Sequence, residues 1–228
     1  MTGLVLVLRP EPGASETAAR ARRLGLEPVA APLFAVRALA WEPPDPADFD
    51  AILLTSANGA RHAGPGLAAF RHLPCVAVGE ATAAAAMQAG FPDVRTGPGD
   101  AGAALATIGD RRVLHLCGRE HLPLDHARLA RRIVYASDAV GELPETARAA
   151  LGGGALALIH SPRAGALFAL LADAAGLARP AIALAAISEA AATAAGRGWR
   201  SLAAAARPRD EALLELAAEL CKKAREAD

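Results

Sequence analysis

Two stretches of this chain repeat one another. Ala51-Ile52-Leu53-Leu54 runs into Thr55-Ser56-Ala57-Asn58, and Leu156-Ala157-Leu158-Ile159 runs into His160-Ser161-Pro162-Arg163. An unbroken apolar run that stops at hydroxyl residues reads as a parallel strand buried on both faces, opening into a loop and then a helix. The copies continue alike. Val76-Ala77-Val78-Gly79-Glu80-Ala81 matches Ala185-Ala186-Ile187-Ser188-Glu189-Ala190, Gly90-Phe91 matches Gly198-Trp199, and Leu8-Arg9 and Leu116-Cys117-Gly118 close two further corresponding strands. An ordered set of matches of this kind predicts a duplicated α/β unit with about five strands in each copy.

The rest of the chain is read around that repeat. Leu4–Leu8 is a buried first strand, and the two prolines of Arg9-Pro10-Glu11-Pro12-Gly13 make a loop. Ser15 is placed to cap a helix to Leu24, ended by Gly25, and Pro28–Val36 is a second extended segment. The proline-rich, acidic Trp41–Asp48 reads as a connector. After the strand 50–54, a helix is expected over 57–70, disturbed at Gly64-Pro65-Gly66. Strands follow at 74–78, 93–96, 112–116 and 133–136, with helices at 82–89, 103–108, 124–131 and 142–151. In the second copy, strands are expected at 155–159, 182–187 and 201–205, and helices to 175 and 195. Leu213, Leu214, Leu216, Ala217 and Leu220 recur at helical spacing in a last helix, 211–225, capped by Asp210.

Composition excludes several classes. With 53% hydrophobic and 21% charged residues the chain is globular, and a formal net charge of +0 argues against a nucleic-acid partner held by bulk charge. Cys75, Cys117 and Cys221 are odd in number and far apart, without disulfide or zinc spacing, which suits a reducing cytoplasm. The run before Arg9-Pro10 is too short for a signal peptide or a membrane span. His115, Cys117, His121 and His126 resemble a metal cluster only in part, so no metal is expected. Gly97-Pro98-Gly99-Asp100-Ala101-Gly102 formally fits a dinucleotide fingerprint, but it lies outside the first β-α turn and reads as a turn and cap.

Ligands of open parallel sheets bind outside the carboxyl ends of the strands. The groups at those ends are Thr55, Ser56, Asn58, Gly79, Glu80, Gly118, Ser161 and Ser188, with Arg9, Arg119 and Arg163 just beyond. Helix capping accounts for the same hydroxyls, and solvated surface charge for the same arginines. Neither Ser161 nor Ser188 sits in a Gly-x-Ser-x-Gly turn, which argues against a nucleophile.

The ordered series LVLRP, DAILLTSAN, VAVGEATAAA, RVLHLCGRE, VYASD, ALALIHSPRAG and AISEAAA resembles the uroporphyrinogen-III synthase family, from Leu4 to about Leu214. The departures are a short loop after Gly118, a short 133–138 region, and Ala191 and Ala192 where many relatives carry threonine. The resemblance implies an α/β fold of two flavodoxin-like parallel-sheet domains joined by a two-stranded linker, with the site in the cleft between them. Domain one would be discontinuous, 1–36 with 139–228, and domain two would be 39–134, with linker crossings near 37–48 and 134–140. It implies closure of hydroxymethylbilane to uroporphyrinogen III with loss of water and inversion of ring D through a spiro intermediate. No cofactor is implied. The only tyrosine, Tyr135, is the acid that the resemblance implies. The expected partner is that small-molecule substrate alone, with no nucleic acid and no membrane. The chain is expected to be a monomer in the cytoplasm, with hinge motion about the linkers. Two other readings stay open here: a non-catalytic two-domain tetrapyrrole or small-ligand binding module, and a nucleotide-sugar or dinucleotide enzyme. Arg9-Pro10-Glu11-Pro12 counts against the last, because it offers no phosphate cradle.

Overall fold

A computed structural model describes residues 3–97 and 100–227, with side chains to residue 224. Pro98 and Gly99, in the expected glycine turn, lie outside the described residues. The chain forms two compact units, one of residues 1–35 and 139–228, the other of residues 36–138.

The first unit holds a sheet of β1 (Leu4–Val7), β2 (Glu27–Ala30), β9 (Leu156–Ile159), β10 (Ala183–Ala186) and β11 (Ser201–Ala204), in the order β11-β10-β9-β1-β2. All its pairings are parallel. In chain order this is 2-1-3-4-5, the flavodoxin arrangement. One face packs α5 (Glu145–Gly152), α6 (Pro162–Ala174) and α7 (Glu189–Ala195) against Leu6, Ala157 and Leu184. The other packs α1 (Gly13–Arg23) and α8 (Asp210–Ala227) against Val5, Val7, Leu156 and Leu158. Burial of both faces explains the unbroken apolar runs, and each fully buried Leu contributes about 1.5–3 kcal/mol.

The second unit holds β3 (Phe34–Ala38), β4 (Ala51–Leu54), β5 (Cys75–Val78), β6 (Val94–Gly97), β7 (Val113–Gly118) and β8 (Leu129–Ala139), in the order β3-β8-β7-β4-β5-β6. The five strands β4 to β8 pair in parallel. Their order, 3-2-1-4-5 by chain position with β3 set aside at the edge, is read from β8 as 5-4-1-2-3. It is the arrangement of the first unit entered at a different strand: β7 stands for β1, β8 for β2, and β4, β5 and β6 for β9, β10 and β11. Register fixes the match, because Val5 pairs with Leu156 as Val113 pairs with Ala51. Thr55 therefore corresponds to His160, and Ser56 to Ser161. The duplication is thus a circular permutation. α2 (Ala57–His62) and α3 (Glu80–Gln88) cover one face, and α4 (Ala101–Ala106) lies on the other.

Several expectations are corrected. The helix at 124–131 does not form. Residues 119–128 are irregular, and Leu129 begins an eleven-residue strand in place of the short one at 133–136. Leu124 and Leu129 pack on the face shared with α4, and the ladder to β7 from Leu129 onward outweighs local helix propensity. The segment 28–36 divides into β2 and β3, which belong to different sheets. The stretch 57–70 divides into α2 and a 3-10 turn, Pro65–Phe70, after Gly64 takes φ +66°. Ser15 does not cap α1. The helix begins at Gly13, and the Glu11 carboxylate accepts from both the Ser15 amide and its hydroxyl.

Candidate functional site

The carboxyl ends of the strands in the second unit deliver unlike groups to one edge. Thr55 and Ser56 follow β4, Val78 ends β5, Asp100 caps α4 after β6, Gly118 ends β7, and Tyr135 stands on β8. They line a cavity of about 400 Å³ together with His115, Glu120, His121, Leu122 and Leu124. A space of this size at a strand-order reversal has the position and the volume expected of a small-molecule site.

The corresponding edge of the first unit is built differently. There, β1 leads into α1, which brings Thr17 to the edge, and α8 brings Asp210. Thr17 Oγ1 donates to Asp210 Oδ1 at 2.8 Å, His160 Nε2 donates to the same oxygen at 2.9 Å, and Arg20 Nη1 donates to Oδ2 at 2.8 Å. Arg9 Nη1 donates to Thr17 at 3.2 Å and lies 3.6 Å from Asp210. Burial pushes the Asp210 carboxyl up, but the donors His160, Thr17 and Arg20 outweigh it and hold the group well below the usual carboxylate range. In the second unit no helix follows β7, and the loop 119–128 spans the place of α1.

Tyr135 lies against Gly118, where a Cβ would fall 2.6 Å from Cζ of its ring. Only a glycine lets the ring sit on the end of β7. Burial, opposed by the neighbouring Ser56, raises the phenol above its ordinary value, so it is protonated at neutral pH. Ser56 also caps α2 by accepting from the Asn58 amide at 3.2 Å. Thr55 Oγ1 lies 3.0 Å from His115 Nε2. His115 is 1% exposed, and burial, with Arg131 and His121 adding to it, pushes its pKa down to about 4. It is a neutral imidazole in working conditions. His121 Nδ1 donates to the Gly118 carbonyl at 2.9 Å, which ties the loop to the end of β7.

Of the residues expected at the site, Thr55, Ser56, Gly118 and Tyr135 come together around the cavity. Asn58, Gly79, Glu80 and Arg119 occupy the same unit outside its lining. Gly79 takes φ +81° at the start of α3, Glu80 is exposed on its first turn, and Arg119 pairs with Asp138 at 3.1 Å. Arg9, Ser161, Arg163 and Ser188 belong to the first unit. Ser161 and Ser188 cap α6 and α7 by accepting from Ala164 and Ala191, and the Arg163 guanidinium lies 4.5 Å from the centre of the Phe34 ring. His115, His121, Glu120 and Asp100 are lining residues that sequence reasoning did not place there. The one signal for His115 was a histidine inside an otherwise apolar strand. His126 donates to the Gly109 carbonyl at 2.8 Å and lies outside the lining that His115 and His121 share.

The uroporphyrinogen-III synthase HemD family model matches residues 15–215. The chain belongs to the uroporphyrinogen-III synthase family. As such it is a cyclising lyase of tetrapyrrole biosynthesis. The synthase fold is seen also in the crystal structure of uroporphyrinogen-III synthetase from Helicobacter pylori, at 18% identity and TM-score 0.65, covering 96% of this chain and 100% of that one. A mutant uroporphyrinogen III synthase from the extremely thermophilic bacterium Thermus thermophilus matches at 19% identity and TM-score 0.55, over 98% of this chain and 100% of that one. None of the curated proteins matches this synthase. No helix among its described residues is long and apolar enough to cross a membrane.

Proposed function

We propose that the cavity of the second unit carries the chemistry of this synthase, with Tyr135 as general acid toward hydroxymethylbilane. The observation that carries this reading is a half-buried, protonated phenol on a cavity wall, packed on Gly118 and with Ser56 beside it in the lining. Tyr135 gives its proton to the hydroxyl of the hydroxymethyl group. The C–O bond breaks, its electron pair leaves with water, and the pyrrole nitrogen stabilises the resulting azafulvene cation. The substituted carbon of ring D attacks that carbon to form the spiro intermediate, which fragments and recloses with ring D inverted. The proton finally lost from carbon as the pyrrole regains aromaticity returns to the phenolate, so the sum is loss of one water. A flexible chain of four rings closes this way only when held in the reactive conformer, so positioning accounts for much of the catalysis.

Thr55, Ser56, Asn58, Gly79, Glu80 and Gly118 on one unit, and Ser161 and Ser188 on the other, supply short polar groups toward the substrate in this reading. Arg9, Arg119 and Arg163 supply charge for its carboxylates. The enzyme works as a monomer in the cytoplasm; its three cysteines, buried and outside any disulfide, support a reducing compartment.

The test is a coupled assay with freshly made hydroxymethylbilane, oxidation of products, and separation of isomers I and III. Wild type yields isomer III. Tyr135→Phe, folded, loses on the order of a hundredfold in rate. Isomer III formed at equal rates by both proteins removes Tyr135 from the acid role, and isomer I alone from wild type removes the activity.

A further inference from the structure

We infer that His115 is a positioning residue for this reaction: it carries its proton on Nε2, donates it to Thr55 Oγ1, and so commits the Thr55 hydroxyl to act as a donor toward the substrate. The inference rests on the cavity being the reaction site. A neutral imidazole has one donor and one acceptor nitrogen. His115 Nε2 faces Thr55 Oγ1 at 3.0 Å, whereas Nδ1 is buried without a partner. An orphaned N–H is rarer in folded proteins than an under-satisfied acceptor, so the proton belongs on the nitrogen that has a partner.

A second observation points the same way. His115 pairs in register with Arg131 on the neighbouring strand, and Arg131 Nε is also buried without a partner. The guanidinium can only donate, and its positive charge favours a lone pair over an N–H on the imidazole. Nδ1 therefore keeps its lone pair and Nε2 its hydrogen.

The consequence falls on Thr55. With one lone pair engaged by Nε2–H, its own hydrogen has no acceptor in that bond and is available to a substrate oxygen. Thr55 and Tyr135 line the same cavity. Two hydroxyl donors suit an oxygen that gathers negative charge, such as the departing hydroxyl or a carboxylate arm. The opposite tautomer would consume the threonine proton in bonding His115 and leave Thr55 as an acceptor, with no donor to offer the departing oxygen and nothing a carboxylate could use.

Long-range 1H–15N spectra of the 15N-labelled protein read the tautomer directly, with the His115 ring assigned by its absence in His115→Gln. The expected pattern is protonated Nε2 and bare Nδ1; the reverse pattern overturns the inference whatever the assay shows. Kinetics supply the second arm. His115→Phe is expected to lower kcat for isomer III about tenfold, as for the loss of one useful hydrogen bond. His115→Gln, whose amide can donate to Thr55, is expected to recover most of it. Thr55→Val combined with His115→Phe is expected to be no slower than Thr55→Val alone; an additive loss overturns the route through Thr55. Wild type that makes only isomer I, with the expected tautomer intact, overturns the reaction assignment and not the tautomer.

Discussion

A Cβ placed on Gly118 would stand 2.6 Å from Cζ and 2.9 Å from the hydroxyl oxygen of Tyr135. Gly118→Ala must therefore displace the ring. Since overpacking of this kind typically costs about 1–3 kcal/mol, the variant should stay folded yet lose at least about tenfold in isomer III formation, measured alongside urea unfolding. His115 makes a pH prediction. Its folded pKa, pushed down to about 4 chiefly by burial, lies below the value of about 6.5 that it takes when unfolded. The stability linked to its neutral form is complete above pH 6.5. It declines as pH falls from 6.5 toward 4, because the unfolded chain takes up the proton first, by on the order of 2–3 kcal/mol. His62, lowered by burial, acts in the same direction. Asp210 acts in a separate window: its carboxyl is depressed, so its contribution fades only as pH drops below about 4. Urea midpoints at pH 7, 5.5 and 4.5 should fall in wild type and fall less in His115→Gln.

Among the elements, α8 depends on its first residue. Asp210 accepts from His160, Thr17 and Arg20, and its side chain is 10% exposed. Asp210→Ala would leave those donors without their acceptor and is expected to cost about 3 kcal/mol or more by urea unfolding, as for other broken buried ion pairs. The strand ends were legible in the sequence because burial on both faces writes an apolar run, and the turn residues punctuate it. Thr55, Ser56, Gly118 and Tyr135 were reachable on that basis, with the family resemblance supplying Tyr135. The loop 119–128 was not. Leu124 to Arg131 has helix-forming residues, and only the pairing of Leu129 with Val113 reveals a strand there. His115 and His121 were legible as residues but not as cavity walls, since that needs the neighbour order of β4, β7 and β8. The hydroxyls at 161 and 188 were read both as caps and as ligand groups, and the caps are what the folded chain displays.

For the whole molecule, the second unit is continuous in sequence and carries its own two-faced core, Ile52, Leu54 and Leu114 on one side and Leu53 and Val113 on the other. A fragment of residues 36–138 is expected to fold alone, with a cooperative urea transition and dispersed amide spectra. Residues 1–35 alone are expected to stay unfolded, because β1 needs β9 beside it as well as β2. A disordered 36–138 fragment would show that the unit borrows its stability from the remainder of the chain.

The interrupted first unit has a consequence for synthesis on the ribosome. β1, with Val5, Leu6 and Val7 all fully buried in the finished fold, leaves the exit tunnel long before its inner neighbour β9, which begins only at Leu156. At typical elongation rates of about 5–20 residues per second, the nascent β1-α1-β2 piece waits on the order of ten seconds with a bare sheet edge while an entire second unit is made. Through that interval the β1-α1-β2 piece is open to chaperones or to other nascent chains, and misassembly of this enzyme should begin at β1.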